Sequence, residues 1–234
     1  MQPAAPSRMI HHGDAIEWLA SNQGLVGASI VTSMPDVSEV QHLDLSGWQH
    51  WFEAAALAVL KAIPDDGVAI FFQSDIRHQG VWIDKAELVA KGARRAGATL
   101  LFHKIVCRKP AGTVTLGRAS YSHMLCFSKG LRPSPAPGRT TADVLLDAGF
   151  MPGKKAMGVN ACLDACRFIQ RATPSRVVID PFCGFGTVLA VANQLGLDAI
   201  GVDLSTRMCR RARSLRLPDS GAVRTESDHA PTDP

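Results

Sequence analysis

The stretch Val177-Val178-Ile179-Asp180-Pro181-Phe182-Cys183-Gly184-Phe185-Gly186-Thr187 constrains this chain more than any other. A short β-branched run enters a turn with two glycines, and a helical pattern follows at once. Glycines there let backbone N–H groups approach a ligand, at a helix N-terminus that favours negative charge. Asp203 closes the next strand-like run, 23 residues beyond Asp180. An acidic side chain at that place can bind both hydroxyls of a ribose.

Two common nucleotide loops are excluded. No Gly-Lys-Ser/Thr follows, so this is not a Walker loop. The third glycine of a dinucleotide GxGxxG would fall on Ala190. Asp180 at the strand end would repel a pyrophosphate but suits a ligand carrying an ammonium group, as S-adenosylmethionine does.

The rest of the chain reads as alternating strands and helices, the pattern of a mainly parallel sheet covered by helices. Strands are expected at Arg8–His12, Leu25–Thr32, Val68–Gln73, Leu100–Cys107, Tyr121–Ser128, Arg176–Asp180 and Ala199–Asp203. Helices are expected over Ala15–Ser21, Gly47–Ile63, Lys85–Ala96, Met157–Arg171, Gly186–Leu195 and Thr206–Leu215, with Asp14, Ser46 and Ser205 as caps of the first, second and last. At 234 residues and 46% hydrophobic content, one domain over residues 1–217 accounts for the length, with a polar, disordered tail at 218–234. No apolar run approaches the roughly 20 residues of a membrane span, and residues 1–12 lack the apolar stretch of a signal peptide. A soluble, cytoplasmic protein without a membrane partner is expected, as monomer or homodimer. The six cysteines form no CxxC or zinc-type cluster, so free thiols and no metal are expected.

The formal net charge of +4 conceals an asymmetry. From Leu101 to Thr140 there is no Asp or Glu, while Lys104, Arg108, Lys109, Arg118, Lys129, Arg132 and Arg139 all carry positive charge. A basic segment on a near-neutral chain points to a polyanion partner.

Together, Asp180-Pro181-Phe182-x-Gly184-x-Gly186-Thr187 and Gly201-Val202-Asp203 resemble the cofactor motif of the β-class amino-methyltransferases, the circularly permuted S-adenosylmethionine enzymes that include N4-cytosine and N6-adenine DNA methyltransferases. The resemblance extends to Gly13-Asp14-Ala15-Ile16, matching the family's opening Gly-Asp turn, and to Ser33-Met34-Pro35-Asp36, which stands where the family has Ser/Asp-Pro-Pro-Tyr. It implies an α/β, Rossmann-like, seven-stranded methyltransferase sheet in one domain, its strands in chain order 3-4-5-6-7-1-2 of the unpermuted fold. It implies S-adenosylmethionine as cofactor, held by Asp14, Asp180, Pro181, Phe182, Cys183, Gly184, Gly186, Thr187, Asp203 and Leu204. Lys155–Asn160 stands where the family adds further cofactor contacts.

The resemblance also implies catalysis at Ser33, Met34, Pro35 and Asp36. In the family, the first residue and the carbonyl after it accept hydrogen bonds from an exocyclic amine, and an aromatic at the fourth position stacks on the flipped base. Here Met34 replaces a proline and Asp36 the aromatic. Asp36 could accept hydrogen bonds from a guanine edge, take a proton, or serve only as a surface or capping residue. Trp48, Trp51 and Tyr121 are candidate replacement stackers. Lys104, Arg108, Lys109, Arg118 and Tyr121 are the candidate substrate contacts. The chain has little length for a separate base-reading domain, so a base in structured RNA, such as tRNA or rRNA, is favoured over DNA. A DNA N6-adenine or N4-cytosine methyltransferase and a non-catalytic binding subunit are the alternatives.

Overall fold

All seven expected strands enter one sheet. The computed structural model describes residues 5–40, 42–134 and 140–217. In chain order the elements are β1 (Arg8–His12), α1 (Ala15–Ser21), β2 (Ala28–Thr32), α2 (Leu45–Ala62), β3 (Ala69–Gln73), β4 (Ile76–His78), β5 (Val81–Ile83), α3 (Lys85–Arg95), β6 (Thr99–Cys107), β7 (Tyr121–Ser128), β8 (Val144–Leu145), α4 (Val159–Ala172), β9 (Val177–Asp180), α5 (Thr187–Gln194), β10 (Asp198–Asp203) and α6 (Thr206–Ser214).

The main sheet has the order β1-β10-β9-β2-β3-β7-β6-β8. It is parallel except for β7, which runs against both β3 and β6. With β9 and β10 as the first two strands of the unpermuted fold, its seven long strands read 3-2-1-4-5-7-6, so the expected permutation is present. The two-residue edge strand β8 and the separate β4–β5 hairpin were not anticipated. Two residues of pairing leave no periodicity to read.

Helices α1, α2 and α3 contribute to a core on one face, around Trp48, Phe52 and Leu60. Helices α4, α5 and α6 contribute to the other, around Cys162, Ile169 and Leu189. With both faces covered, β2 and β3 are buried at every residue, which is why their sequences run apolar without alternating. All six cysteines are free.

Helix boundaries match within a residue or two, with one corrected cap. Asp44, not Ser46, caps α2, accepting from the Gly47 N–H at 2.7 Å; both residue types suit the position, and the carboxylate two residues upstream wins it. No helix among the described residues is long and apolar enough to cross a membrane. The expected tail at 218–234 and Arg139 lie outside the described residues.

The strand order reverses between β9 and β2, which pair in parallel through Ile30 and Ile179. In open α/β sheets the crevice at such a reversal, outside the carboxyl ends of the strands, is where ligands bind. Pro181 follows β9 and Ser33 follows β2, so topology alone brings the glycine loop and the Ser33–Asp36 loop side by side.

Candidate active site

A cleft of about 720 Å³ opens at this reversal. One wall is the expected cofactor segment: Pro181, Phe182, Cys183, Gly184, Thr187, Asp203 and Leu204. Asp14, Ser33, Met34 and Pro35 line the same cleft, as do Trp51 and Lys155. The structure thus joins residues nearly 190 positions apart in sequence.

Backbone geometry shapes the glycine loop. Gly184 has φ 49° and Gly186 φ 76°, both left-handed. A Cβ on Gly184 would meet no atom within 4 Å, whereas one on Gly186 would lie 2.8 Å from the Ala212 Cβ. Gly184 therefore leaves space for a ligand, and Gly186 permits close packing of α6. Gly186 does not line the cleft itself; its role is to shape the loop.

Asp203 anchors the opposite side. Its Oδ2 accepts from the Gly184 N–H at 2.9 Å and its Oδ1 from the Ser205 N–H at 2.7 Å. Each oxygen keeps a lone pair for an incoming hydroxyl. Asp14 caps α1, its Oδ1 accepting from the Ile16 and Glu17 N–H groups at 2.7 and 3.0 Å.

Asp180 sits behind the lining segment and is fully buried. Its Oδ1 accepts from the Thr32 hydroxyl at 2.7 Å and from the Phe182 N–H at 3.1 Å, while Oδ2 has no partner. Burial pushes its carboxyl up to about 7, and Asp203 adds to the shift against the two hydrogen bonds. An orphaned carboxylate oxygen behind a cleft wall is a high-cost arrangement without a positive ligand group. It fits the ammonium and sulfonium of S-adenosylmethionine.

The second loop departs from expectation at Asp36, which does not line the cleft. Its carboxylate is ion-paired with Lys85, and its N–H donates to Glu39 Oε2 at 2.9 Å. Among the described residues none partners the Ser33 hydroxyl, and Ser33 lines the cleft, so that hydroxyl is available to a ligand. Of the proposed stackers, Trp48 is corrected: it has no exposure, and its Nε1 donates to the Pro35 carbonyl at 3.2 Å. Tyr121 is corrected likewise. Its hydroxyl donates to Asp75 Oδ2 at 3.1 Å, away from the cleft. Trp51 alone of the three lines the cleft, edge-on to Phe182 with centroids 6.1 Å apart.

The basic segment is also revised. Lys104 is not on the surface: it is buried, paired with Asp164 at 2.8 Å and hydrogen-bonded to Thr141. Arg108 is a tie between loops, donating to the Lys154 carbonyl at 2.8 Å and to Ser74 Oγ at 3.3 Å. Lys109 and Arg118 are exposed as expected, in a loop turned by Gly112 and Gly117 at φ 83° and 74°.

Two features escaped the sequence reading. Arg207, Arg210, Arg211, Arg213 and Arg216 fall within ten residues that contain no acidic group. All five are exposed; the Arg211 guanidinium lies 5.3 Å from the ring of Phe185, which lines the cleft, while Arg213 donates to the Ile10 carbonyl at 2.7 Å; their density was a readable signal. The second is a polar network behind the Ser33 loop. His103 Nε2 lies 2.9 Å from His123 Nδ1, and His123 Nε2 lies 3.0 Å from Asp75 Oδ2. Asp75, Asp84 and His123 come close enough to share a metal ion. Both His123 ring nitrogens are already engaged and the Lys85 N–H holds Asp75 Oδ1 at 2.9 Å, so the group reads as a hydrogen-bonded scaffold. No sequence signal marks it, since its members come from three separate strands and turns.

Comparison with known proteins agrees with this geometry. Residues 167–214 match the DNA methylase family model N6_N4_Mtase. No curated protein matches the chain. A presumed DNA modification methylase of Thermus thermophilus, solved with S-adenosyl-L-methionine, is 21% identical with a TM-score of 0.68; the alignment covers 88% of this chain and 91% of that one. The PvuII DNA methyltransferase, which is cytosine-N4-specific, is 16% identical with a TM-score of 0.69, over 91% of this chain and 88% of that one. The M1.HpyAVI–SAM complex is 15% identical with a TM-score of 0.59, over 88% and 97%.

The chain thus has the permuted α/β fold of the amino-methyltransferases. It resembles the N6/N4 DNA methylases in sequence over its cofactor segment and in fold over nearly nine-tenths of its length.

Proposed function

We propose that the protein is an S-adenosylmethionine-dependent methyltransferase acting on the exocyclic amine of a base in DNA. One observation carries the reading: the glycine loop with Asp203 and the Ser33-Met34-Pro35 segment line a single cleft. DNA displaces RNA as the favoured substrate because the family model and the named structural matches concern DNA methylation. The small length available for base reading, which favoured RNA, is the weaker argument.

Bound in the cleft, S-adenosylmethionine would supply an electrophilic methyl group. Asp180, from behind the wall, would favour its ammonium through the field of a buried carboxylate, while Asp203 would face the ribose hydroxyls and Asp14 and Leu204 the adenine. Ser33 Oγ and the Met34 carbonyl would accept hydrogen bonds from the target amine. That draws its lone pair out of ring conjugation and aims it along the line of attack. Trp51 and Phe182 supply an apolar wall that excludes water. Lys109 and Arg118 would hold phosphates.

Incubation with tritiated S-adenosylmethionine and either unmethylated DNA or total RNA tests this directly. Label in DNA as N4-methylcytosine or N6-methyladenine is the expected result. Label in RNA alone would return the substrate to RNA, and absence of label together with weak or absent cofactor binding would favour a binding subunit.

A further inference from the structure

Lys85 is the first residue of α3 and is only 2% exposed. Three costs meet at this position. A buried ammonium loses its hydration, it stands at a helix N-terminus where the macrodipole disfavours positive charge, and its long side chain is held in one arrangement. The surroundings compensate specifically. The ammonium pairs with Asp36 and lies 5.7 Å from the ring centroids of both Trp48 and Phe52. Its own backbone N–H is fixed by Asp75, which Tyr121 and His123 hold in turn.

The Asp36 loop is tied at three points. Lys85 holds the carboxylate, Glu39 the Asp36 N–H, and Trp48 the Pro35 carbonyl. Glu39 in turn reaches Lys155 at 3.2 Å across the cleft mouth. Of the three, the Lys85 tie alone is an ion pair, with the lysine end buried and the Asp36 carboxylate half-buried.

We propose that Lys85 is a positioning residue whose ammonium, through Asp36, holds Ser33-Met34-Pro35 in the geometry for methyl transfer, so that the charge on Lys85 governs the order of that loop. This rests on the reading of Ser33–Pro35 as the transfer loop. It also assigns Asp36 a role that explains the missing aromatic: the residue anchors the loop from outside the cleft and leaves stacking to Trp51.

Burial pulls the Lys85 ammonium down to about 7, with Lys155 and Arg108 lowering it further; the Asp36 carboxylate acts in the opposite direction. The charged groups acting on it are Asp36 from the loop after β2, Lys155 from the loop before α4 and Arg108 just past β6, while Asp75, past the end of β3, is engaged by the Lys85 backbone N–H. The tie is therefore strongest when the ammonium is charged and weakens as pH rises past its titration.

Hydrogen exchange of residues 33–40, corrected for intrinsic rates, reads the loop without substrate or cofactor. Wild type should be protected at pH 6 and lose protection by pH 9. Lys85→Arg, which stays charged, should remain protected at both, and Lys85→Met should be unprotected at both. Circular dichroism confirms folding of each variant. In the methylation assay on DNA, Lys85→Met should lower kcat about 10- to 100-fold with the KM for S-adenosylmethionine within about twofold. Lys85→Arg should remove the alkaline limb of the kcat profile. Asp36→Asn, as a second route, should move that limb to lower pH. Equal protection in wild type and Lys85→Met, or a Lys85→Arg profile that follows wild type, overturns the proposal. If the exchange pattern appears but no DNA is methylated, the positioning role stands and the functional reading fails.

Discussion

The two walls of the cleft are built by different means. The cofactor wall is made of backbone: a strand end, two left-handed glycines and a carboxylate that accepts from the Gly184 N–H. The target wall, Ser33-Met34-Pro35 with Trp51, is held from behind by long-range side-chain pairs, Asp36 with Lys85 and Asp75 with His123. A backbone site tolerates few changes in sequence, so it keeps a linear signature. A side-chain site can be rebuilt from distant positions, so its signature is scattered. This is why the family model matches residues 167–214, while the Ser33–Asp36 loop departs from the family pattern.

Substitutions on the two walls should fail in different ways. The largest stability effect lies outside the cleft lining, at Asp164→Ala on α4. Removing one partner of the buried Lys104 pair should cost about 3–5 kcal/mol in chemical denaturation. Were Lys104 a solvent-facing substrate contact instead, the loss would be small.

On the cofactor wall, Asp203→Ala should weaken S-adenosylmethionine binding about 10- to 100-fold by calorimetry, as hydrogen bonds to a charged group are lost. Ser33→Ala on the target wall should leave that affinity unchanged and lower turnover. Equal effects on affinity would merge the two walls into one.

Asp180→Asn sharpens the comparison through pH. The folded-state carboxyl titrates near 7, above its unfolded value of about 3.9. The native state therefore holds its proton longer, and its contribution to stability is full below about pH 4 and lost as pH rises through 7. Asp180→Asn should flatten this slope in the unliganded protein and be relatively more stable at pH 8, yet bind S-adenosylmethionine more weakly. Thermal melts from pH 4 to 8, with and without cofactor, measure both.

The smallest effect belongs to the surface. Lys109→Gln with Arg118→Gln should reduce the salt dependence of DNA binding by about one to two phosphate contacts while leaving cofactor affinity untouched.

The seven strands and six helices were legible because burial on both sheet faces leaves plain apolar runs and capping residues punctuate them. The loop that lines the cleft was legible because its geometry demands glycine and a strand-end carboxylate. The role of Asp36 was not: an acidic residue after a strand looks the same whether it faces a ligand or a lysine 49 residues away. Lys104 was misread for a related reason. Its partner Asp164 lies on α4, and a count of charge along the chain cannot show that a cation is neutralised from another element.

The most direct measurement is mass spectrometry of nucleosides from unmethylated DNA incubated with the protein and methyl-deuterated S-adenosylmethionine. The single-cleft account predicts deuterated N4-methylcytosine or N6-methyladenine, strongly reduced in Ser33→Ala and in Asp203→Ala. A wild-type protein that binds the cofactor yet leaves DNA unlabelled would contradict it.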